Sequence, residues 1–408
     1  MKRFLLALIL VPSSFLFAQD TLTIMTYNLL NYPNAGHSRV NDLKVILQYV
    51  KPDIFICSEV DNGNCVQGVL DTALNVAPIN YYAACTYMDG PDTDNMLFYN
   101  TNKVTLASQN QISTALRDIS HYHLYTCEST DTVWFDVFSA HLKASQGTTY
   151  ANDRLAEVTH LTNYIATMPT NTNIIFGGDF NFYGATVEPA WNQLTVTCVQ
   201  PFKDPLNMVG DWHSDAAYKH IHTQSTRSSA NSGCCGGSTG GLDDRFDFLL
   251  INQNLRDGIE GAQYVTGTYK SIGNDGNHFN KAVIESPTNS SVPASVCTSL
   301  FNMSDHLPVM MKVATCDVRI GIEENAVAHH LSLAFPAENQ MQIRVNYFKA
   351  ENIQAEILTL NGAVVASSAF TAIAGENQFD MALPVMDKGM YILRLTSASG
   401  TVVHKFVK

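Results

Sequence analysis

Six short polar motifs stand at the ends of apolar, strand-like runs of the chain. They occupy residues 26–30, 58–60, 139–143, 177–181, 244–247 and 304–308. Their carboxylate and amide oxygens are the ligands that a hard divalent cation such as Mg²⁺ prefers, and histidine beside them suits proton transfer near neutral pH. Because binding and catalytic residues gather where strands of layered α/β folds end, we expect the motifs to meet in one site.

Four of these residues offer oxygens that a metal could bind: Asn28, Glu59, Asp179 and Asp305. Glu59 ends an apolar run, where a charged side chain is rarely structural, so a ligand role is favoured. Asn28 taken alone could be a turn residue, and its place in the series of motifs promotes it. Asp305 directly precedes His306, which combines a metal ligand with a donor for phosphate.

The remaining motifs offer groups for proton transfer. Asp179 and Asn181 alternate, so on an extended segment they would point the same way, one activating water and the other orienting it or the phosphate. His141 could serve in proton transfer or be a hydrogen-bonded strand histidine. The sequence has neither a Walker loop nor a GxSxG elbow, which argues against a P-loop NTPase and a serine hydrolase.

Short strands and amphipathic helices are predicted to position these motifs. Strand-like runs cover residues 21–26, 54–57, 96–99, 133–140, 173–176, 246–251, 264–267 and 309–313, and helical patterns cover 40–50 and 150–168. This mixture predicts an α/β fold in which helices cover sheets.

Composition and charge exclude several classes. Hydrophobic residues make up 46% and charged residues 15% of the 408, which excludes a disordered chain. The net charge is −13, and Lys2-Arg3 is the only adjacent basic pair, which argues against electrostatic gripping of nucleic acid. A nuclease stays open, because a metal can bind the phosphate instead.

The start of the chain reads as an export signal. Lys2 and Arg3 precede an apolar run over residues 4–17, and Ala18 is the expected cleavage point, so residues 1–18 are predicted to be a signal peptide. The run is shorter than the ~20 residues of a membrane-spanning helix. The nine cysteines form no CxxC pair, which argues against a structural zinc site, and an odd count leaves at least one thiol free or paired outside the chain.

Two later segments differ in texture. Residues 225–242 are rich in Gly and Ser, so a surface loop near a sheet end is expected; a linker and an active-site lid both stay open. His220 and His222, just before it, are expected to be exposed loop residues, and the pairing of Cys234 and Cys235 is undecided. Residues 317–330 read as a linker, and 331–408 as a small β-sandwich with a hairpin turn at Asn361-Gly362.

The ordered motifs resemble a known superfamily. Asn28, Glu59, His141, Gly-Asp-Phe-Asn at 178–181, Arg-Phe-Asp at 245–247 and Ser-Asp-His at 304–306 are together similar to the endonuclease/exonuclease/phosphatase superfamily, the deoxyribonuclease-I-like fold, over roughly residues 19–316. The resemblance implies a layered two-sheet β-sandwich flanked by helices. It also implies phosphoester cleavage with Mg²⁺ or Mn²⁺, with Ca²⁺ as a further option.

The family's roles fall on individual positions of this sequence. The resemblance assigns metal binding to Glu59, with Asn28 and Asp305 close by. It assigns activation of water to Asp179 and binding of the phosphate to Asn181. His141 would protonate or stabilise the leaving oxygen, and His306, oriented by Asp247, would donate to the phosphate. His141 also needs an orienting carboxylate, and Asp94 is the predicted partner.

The tail resembles a second family. Gly-Met-Tyr-Ile-Leu-Arg-Leu at 389–395, a turn and the basic-apolar end at 405–408 are similar to the C-terminal sorting domain of the type IX secretion system. This implies handling by that secretion machinery and a location outside the cell or on its surface. A carbohydrate- or protein-binding β-sandwich is the alternative.

These observations predict a secreted, monomeric, metal-dependent phosphodiesterase, with extracellular nucleic acid as the expected substrate. The alternatives are a sphingomyelinase-like phospholipid phosphodiesterase or a phosphomonoesterase. A surface binding protein on an inactive scaffold is the non-enzymatic alternative.

Overall fold

A computed structural model describes residues 20–33, 39–127, 132–231, 235–315, 328–337, 339–347, 350–359, 361–398 and 400–408. The chain divides into two compact units, Met1–Asp317 and Val318–Lys408. Within the described residues, no helix is long and apolar enough to cross a membrane. The predicted signal peptide, residues 1–18, lies outside the described residues.

Twelve strands in the described part of the first unit form two sheets. They are β1 (Asp20–Tyr32), β2 (Ile54–Val60), β3 (Tyr82–Ala84), β4 (Asp94–Asn100), β5 (Thr105–Ile112), β6 (Ile119–Cys127), β7 (Thr132–His141), β8 (Asn173–Asp179), β9 (Asp247–Ile251), β10 (Ala262–Tyr264), β11 (Lys270–Ser271) and β12 (Val309–Thr315). The first sheet has the order β10-β12-β1-β2-β4-β3, with β11 also paired to β12, and the second has the order β5-β6-β7-β8-β9. One apolar cluster contains side chains of both sheets, including Ile56 and Val137, so the two inner faces form a common core.

Helices cover the outer faces. They are α1 (Val40–Val50), α2 (Cys65–Gly68, continuing as the π-helical Val69–Leu74), α3 (Thr148–Ile165), α4 (Pro189–Asn192, continuing as the π-helical Gln193–Thr197), α5 (Gln253–Asp257), α6 (Ala294–Met303) and a 3₁₀ turn, Ala216–Tyr218. Leu161 of α3 packs with Phe138 and Phe176 in a second apolar cluster, on the other face of the five-stranded sheet. The prediction of a layered two-sheet sandwich flanked by helices is therefore confirmed.

The strand pairing explains why the motifs meet. β1 runs parallel to β2, with Asn28 opposite Ser58, and β7 runs parallel to β8, with His141 opposite Asp179. β9 begins at this same edge, because Asp247 pairs with Asp179 in antiparallel register. Parallel neighbours end on the same side of a sheet, so polar residues far apart in sequence come together there.

In the described part of the second unit, all the regular structure is β-strand. Its strands are β13 (Ala328–Ala337), β14 (Gln340–Tyr347), β15 (Glu351–Thr359), β16 (Val364–Ala372), β17 (Gly375–Ala382), β18 (Met390–Ser397) and β19 (Gly400–Val407). They form the antiparallel sheets β13-β14-β17 and β16-β15-β18-β19 around a core that includes Ile343, Ile357 and Leu393. The small all-β domain is confirmed, although β13 takes in the last residues of the predicted 317–330 linker; residues 317–327 lie outside the described part.

Candidate active site

Asn28 joins two carboxylates at the edge of the sandwich. Its Nδ2 donates to Glu59 Oε1 at 2.8 Å and to Asp179 Oδ2 at 3.0 Å, while its Oδ1 accepts from the Leu30 amide at 2.9 Å. A cation needs an oxygen, and this amide turns its nitrogen toward the carboxylates. In this structure Asn28 therefore positions Glu59 and Asp179, and its role as a metal ligand stays a prediction.

Glu59 is aimed into the site by an unusual backbone conformation. Its φ is 58°, in the left-handed region that glutamate rarely adopts, and the register of β1 against β2 shifts at this point. Its Oε2 accepts from the Asn31 amide at 2.9 Å. Burial raises the pKa of Glu59, although the hydrogen bond from Asn28 opposes the rise.

Asp179 lies at the centre of the site. Gly178 before it has a φ of 140°, and a Cβ there would lie 1.9 Å from the Ala140 carbonyl oxygen, so the close approach of β8 to β7 requires glycine. Burial raises the pKa of Asp179 to about 7; the charges of Asp247 and Glu59 add to the rise, and His306 opposes it. Such a carboxylate is suited to accept a proton near neutral pH.

Asn181 reaches the site differently from the expectation. β8 ends at Asp179, and Asn181 has a φ of 51°, so the two residues do not share a face of an extended strand. Instead the Asn181 amide N–H donates to Asp179 Oδ1 at 3.0 Å, and its Nδ2 donates to the Leu142 carbonyl at 3.2 Å. The side chain remains beside the central carboxylate.

His141 faces both carboxylates. Its Nε2 lies 3.7 Å from Glu59 Oε1 and 3.7 Å from Asp179 Oδ2. Its buried Nδ1 has no hydrogen-bond partner among the residues that the structure describes. Burial, reinforced by the charges of Arg117, His306 and Lys143, lowers the pKa of His141 well below its usual value, which favours the neutral ring.

Asp94 does not supply the missing partner of His141. Its carboxylate accepts hydrogen bonds from the Tyr87 hydroxyl and from the Gly90 amide. These contacts bind Asp94 to the loop that precedes it. Asp94 is the first residue of β4, in the first sheet, whereas His141 ends β7 in the second sheet. The predicted Asp94–His141 pairing is therefore not formed in the structure.

His306 forms the opposite wall. Its Nδ1 lies 2.7 Å from Asp247 Oδ2, as the expected orienting role of Asp247 requires, and its Nε2 lies 3.5 Å from Asp179 Oδ2. Burial alone would lower the pKa of His306, but the charges of Asp247, Asp179 and Asp305 raise it well above its usual value. This favours the protonated ring, a suitable donor to an anionic oxygen.

Asp305 is held by the Gly/Ser-rich segment. Its Oδ2 accepts from the Ser238 amide at 2.6 Å and from Gln224 Nε2 at 3.1 Å. Gly237 packs so closely that a Cβ there would lie 2.9 Å from Asp305 Cγ. Its buried Oδ1 has no hydrogen-bond partner in the described part of the chain. This segment is therefore part of the wall of the site.

Sequence reasoning missed Gln224. Its Nε2 also lies 2.6 Å from His306 Nε2, so one amide contacts both members of the Asp305-His306 motif. No motif marks this position.

Of the two histidines expected to be exposed, His220 is exposed, whereas His222 is fully buried and contacts the Trp212 carbonyl at 2.8 Å. Cys235 is disulfide-bonded.

The residues fit a divalent cation. Glu59, His141 and Asp179 each offer a ligand atom within 4.8 Å of the others. The charge of Asp305 acts on Glu59, and its buried Oδ1 has no hydrogen-bond partner among the described residues. Buried carboxylates with raised pKa values are an unfavourable arrangement that a cation between them offsets. The donor set is mostly oxygen, which suits Mg²⁺ or Mn²⁺. We call Glu59, His141, Asp179, Asp247, Asp305 and His306 the strand-end cluster.

A buried centre of carboxylates and histidines at the edge of a two-sheet sandwich is thus the class of site that this chain carries.

Residues 335–408 match the family described as secretion system C-terminal sorting domain, which confirms the prediction for the tail. A comparison with curated proteins finds no match.

The chain is also similar to solved structures. D. rerio TDP2 complexed with a single-strand DNA product shares 15% identity and a TM-score of 0.49, covering 73% of this chain and 100% of that one. The endonuclease/exonuclease/phosphatase from Bacteroides vulgatus has 13% sequence identity and a TM-score of 0.48, and the match covers 73% of this chain and 100% of that one. The human Nocturnin catalytic domain with bound sulfate has 16% sequence identity and a TM-score of 0.44, and the match covers 74% of this chain and 98% of that one.

Proposed function

We propose that the chain is a secreted metal-dependent phosphodiesterase that hydrolyses extracellular nucleic acid. The observation that carries the proposal is the environment of one oxygen, Asp179 Oδ2. It lies 3.0 Å from Asn28 Nδ2, 3.5 Å from His306 Nε2 and 3.7 Å from His141 Nε2. A central base flanked by two histidines on different sheet edges matches what in-line attack on a phosphoester needs on its two sides.

Each residue has a separate task in this proposal. A divalent ion held by Glu59 and Asp305 would neutralise charge on the phosphate. Asp179 takes the proton of the attacking water, because its buried carboxylate lies between the two histidines at the centre of the site. Asn181 binds a phosphate oxygen beside it.

The two histidines stabilise charge in different protonation states. His306, whose pKa is raised by three carboxylates, donates to a non-bridging phosphate oxygen while Asp247 fixes its ring. His141, whose pKa is lowered, donates a hydrogen bond from the neutral ring to the leaving oxygen. Preorganised donors aimed at developing charge are a large contribution to such reactions.

Export and nucleic acid complete the proposal. The sorting domain at residues 335–408 supports release from the cell or attachment to its surface through the type IX machinery. The nucleic-acid substrate rests on the motif resemblance, because the strand-end cluster handles the phosphate and leaves the rest of the substrate to its surroundings.

A substrate panel tests the proposal. The chain without residues 1–18 is incubated with supercoiled DNA, RNA, sphingomyelin and a chromogenic phosphodiester, each with Mg²⁺, Mn²⁺, Ca²⁺ or EDTA. We expect metal-dependent cleavage of DNA or RNA that His141→Ala abolishes. His160→Ala, which removes an exposed histidine of α3, is the matched control and should retain full activity.

Two outcomes would contradict it. Cleavage of sphingomyelin alone would make the chain a lipid phosphodiesterase. No turnover of any substrate by folded protein would leave the inactive-scaffold alternative.

A further inference from the structure

A second histidine–carboxylate cluster lies on the hairpin of β6 and β7. His121 Nε2 is 2.7 Å and His123 Nδ1 is 2.8 Å from the same oxygen, Asp136 Oδ1. The two histidines alternate along β6 and so share a face, and the register places His123 opposite Asp136. His121 stacks on Phe138, a residue of the core beneath α3, so this face is the outer face of the sheet. We call these three residues the hairpin cluster.

Surrounding residues hold the hairpin cluster in place. The Thr172 hydroxyl donates to Asp136 Oδ2, and the Tyr164 hydroxyl lies 3.1 Å from His121 Nδ1. The His123 ring stacks on Trp134 with centroids 4.6 Å apart and planes 11° apart. Metal ligands are characteristically fixed in this way, with the second imidazole nitrogen and the second carboxylate oxygen each engaged by an outer group.

The protonation of the rings can change without breaking these contacts. Without a metal, both histidines donate to Asp136 from the nitrogens that face it. If His121 carries its proton on Nδ1 instead, the Tyr164 hydroxyl accepts it, because a hydroxyl both donates and accepts. His123, whose side chain is 34% exposed, can carry its proton on Nε2. Both inner nitrogens then offer lone pairs.

We propose that His121, His123 and Asp136 bind a transition-metal ion of the Zn²⁺ class, separate from the strand-end cluster. Their ligand atoms all lie within 4.8 Å of one another. Tetrahedral zinc with Zn–N and Zn–O distances of ~2.0–2.1 Å sets its ligand atoms about 3.3 Å apart. The contacts of 2.7 and 2.8 Å therefore need to open by only about half an ångström.

The ligand types select the ion. Two imidazoles favour Zn²⁺ over Mg²⁺, and three protein ligands leave the fourth position for water at the exposed edge of His123. The absence of CxxC motifs, which argues against a cysteine-bound zinc, does not bear on this set. The inference does not depend on the proposed hydrolytic function.

Zinc titration of matched variants tests the site. The chain without residues 1–18, freed of metal, carries Asp179→Asn to weaken binding at the strand-end cluster, and is titrated with Zn²⁺ by calorimetry and with Co²⁺ by visible absorption. We expect about one zinc ion per chain to bind at the hairpin cluster with tetrahedral Co²⁺ absorption. Adding His123→Ala should lower this affinity at least about 100-fold, since loss of a ligand exceeds loss of an outer-shell partner.

Two further variants keep the test decisive. His160→Ala, on the neighbouring helix, should leave the zinc affinity unchanged. His123→Gln retains an amide that can donate to Asp136 but binds zinc poorly, so it should remain folded and still lose the ion. The same zinc affinity in the His123 and His160 variants, or no zinc binding to the folded chain, would overturn the proposal.

Discussion

The strand-end cluster and the hairpin cluster both combine histidines with aspartates, but the pKa of the central aspartate is raised in the first and lowered in the second. In the strand-end cluster, burial and neighbouring carboxylates raise the pKa of Asp179, and Asp305 Oδ1 has no partner among the described residues. In the hairpin cluster burial acts in the same direction, but hydrogen bonds from His121, Thr172 and His123 lower the pKa of Asp136. The first cluster is left unsatisfied by the protein itself, and the second is satisfied by its neighbours.

This difference separates what each cluster can contribute. Buried acids with raised pKa values concentrate at functional sites, because a ligand or a reaction supplies the missing interaction. A saturated network contributes to stability, and a metal can replace its inner protons. Three predictions test this contrast.

The largest difference is expected in catalysis. Asp179→Asn removes the proposed base and should lower the rate of phosphodiester hydrolysis by about 10³-fold, within the range for general-base catalysis. Asp136→Asn, the same substitution in the hairpin cluster, should leave the rate unchanged. Rates with a chromogenic phosphodiester decide between them, and equal losses in the two variants would abolish the distinction.

A smaller loss is expected at the residue behind His306. Asp247→Asn keeps an acceptor for His306 Nδ1 but removes the negative charge that raises the histidine pKa. We expect a loss of about 100-fold. If His306 must be protonated, activity falls as pH rises through its raised pKa, so the variant should lose activity at a lower pH than the parent. A uniform loss at every pH would indicate a purely structural role for Asp247.

The smallest effects concern stability, and they should have opposite signs. Because the pKa of Asp179 rises from 3.8 to about 7 on folding, the native state holds the proton more tightly, and stability falls as pH rises through that window. Asp136 has a lowered pKa, so its contribution is present above the unfolded value and is lost as pH falls through the folded one. At pH 8 without metal, Asp179→Asn should stabilise, and Asp136→Asn destabilise, by about 1–3 kcal/mol each.

Fluorescence can measure this in the full chain. All three tryptophans, Trp134, Trp191 and Trp212, belong to the first unit, so denaturant unfolding followed by their emission reports on that unit. Changes of the same sign in both variants would contradict the contrast.

The same comparison explains what the sequence could predict. The strand-end residues stand in compact motifs at the ends of apolar runs, so their types and order made Glu59, Asp179, His141 and His306 candidates from the sequence alone. The fold class followed from the same alternation of strands and helices. The orientation of the Asn28 amide, by contrast, depends on the Leu30 N–H in a left-handed bend, which the motif does not encode.

Other contacts depend on pairing or on irregular chain paths. His121 and His123 look like ordinary alternation within a strand, and their approach to Asp136 depends on the β6–β7 register. Gln224 approaches His306 through an isolated β-bridge outside the named strands. Asp94 stands just before a strand-like run, which makes it a candidate partner for His141, but in the structure its carboxylate accepts from the Tyr87 hydroxyl.

Because β1 pairs with β12, the site can be completed only when the chain has been synthesised as far as β12. The first described strand of the unit pairs with its last, with Asp20 opposite Thr315 and Thr26 opposite Val309. Contacts of such large sequence separation form slowly, because the entropy of closing the chain between them opposes them. A nascent chain that ends before β12 leaves one side of β1 without its neighbour, and one that ends before residue 304 also lacks Asp305 and His306. The proposed hydrolytic activity would therefore appear only after the whole first unit has been synthesised and folded.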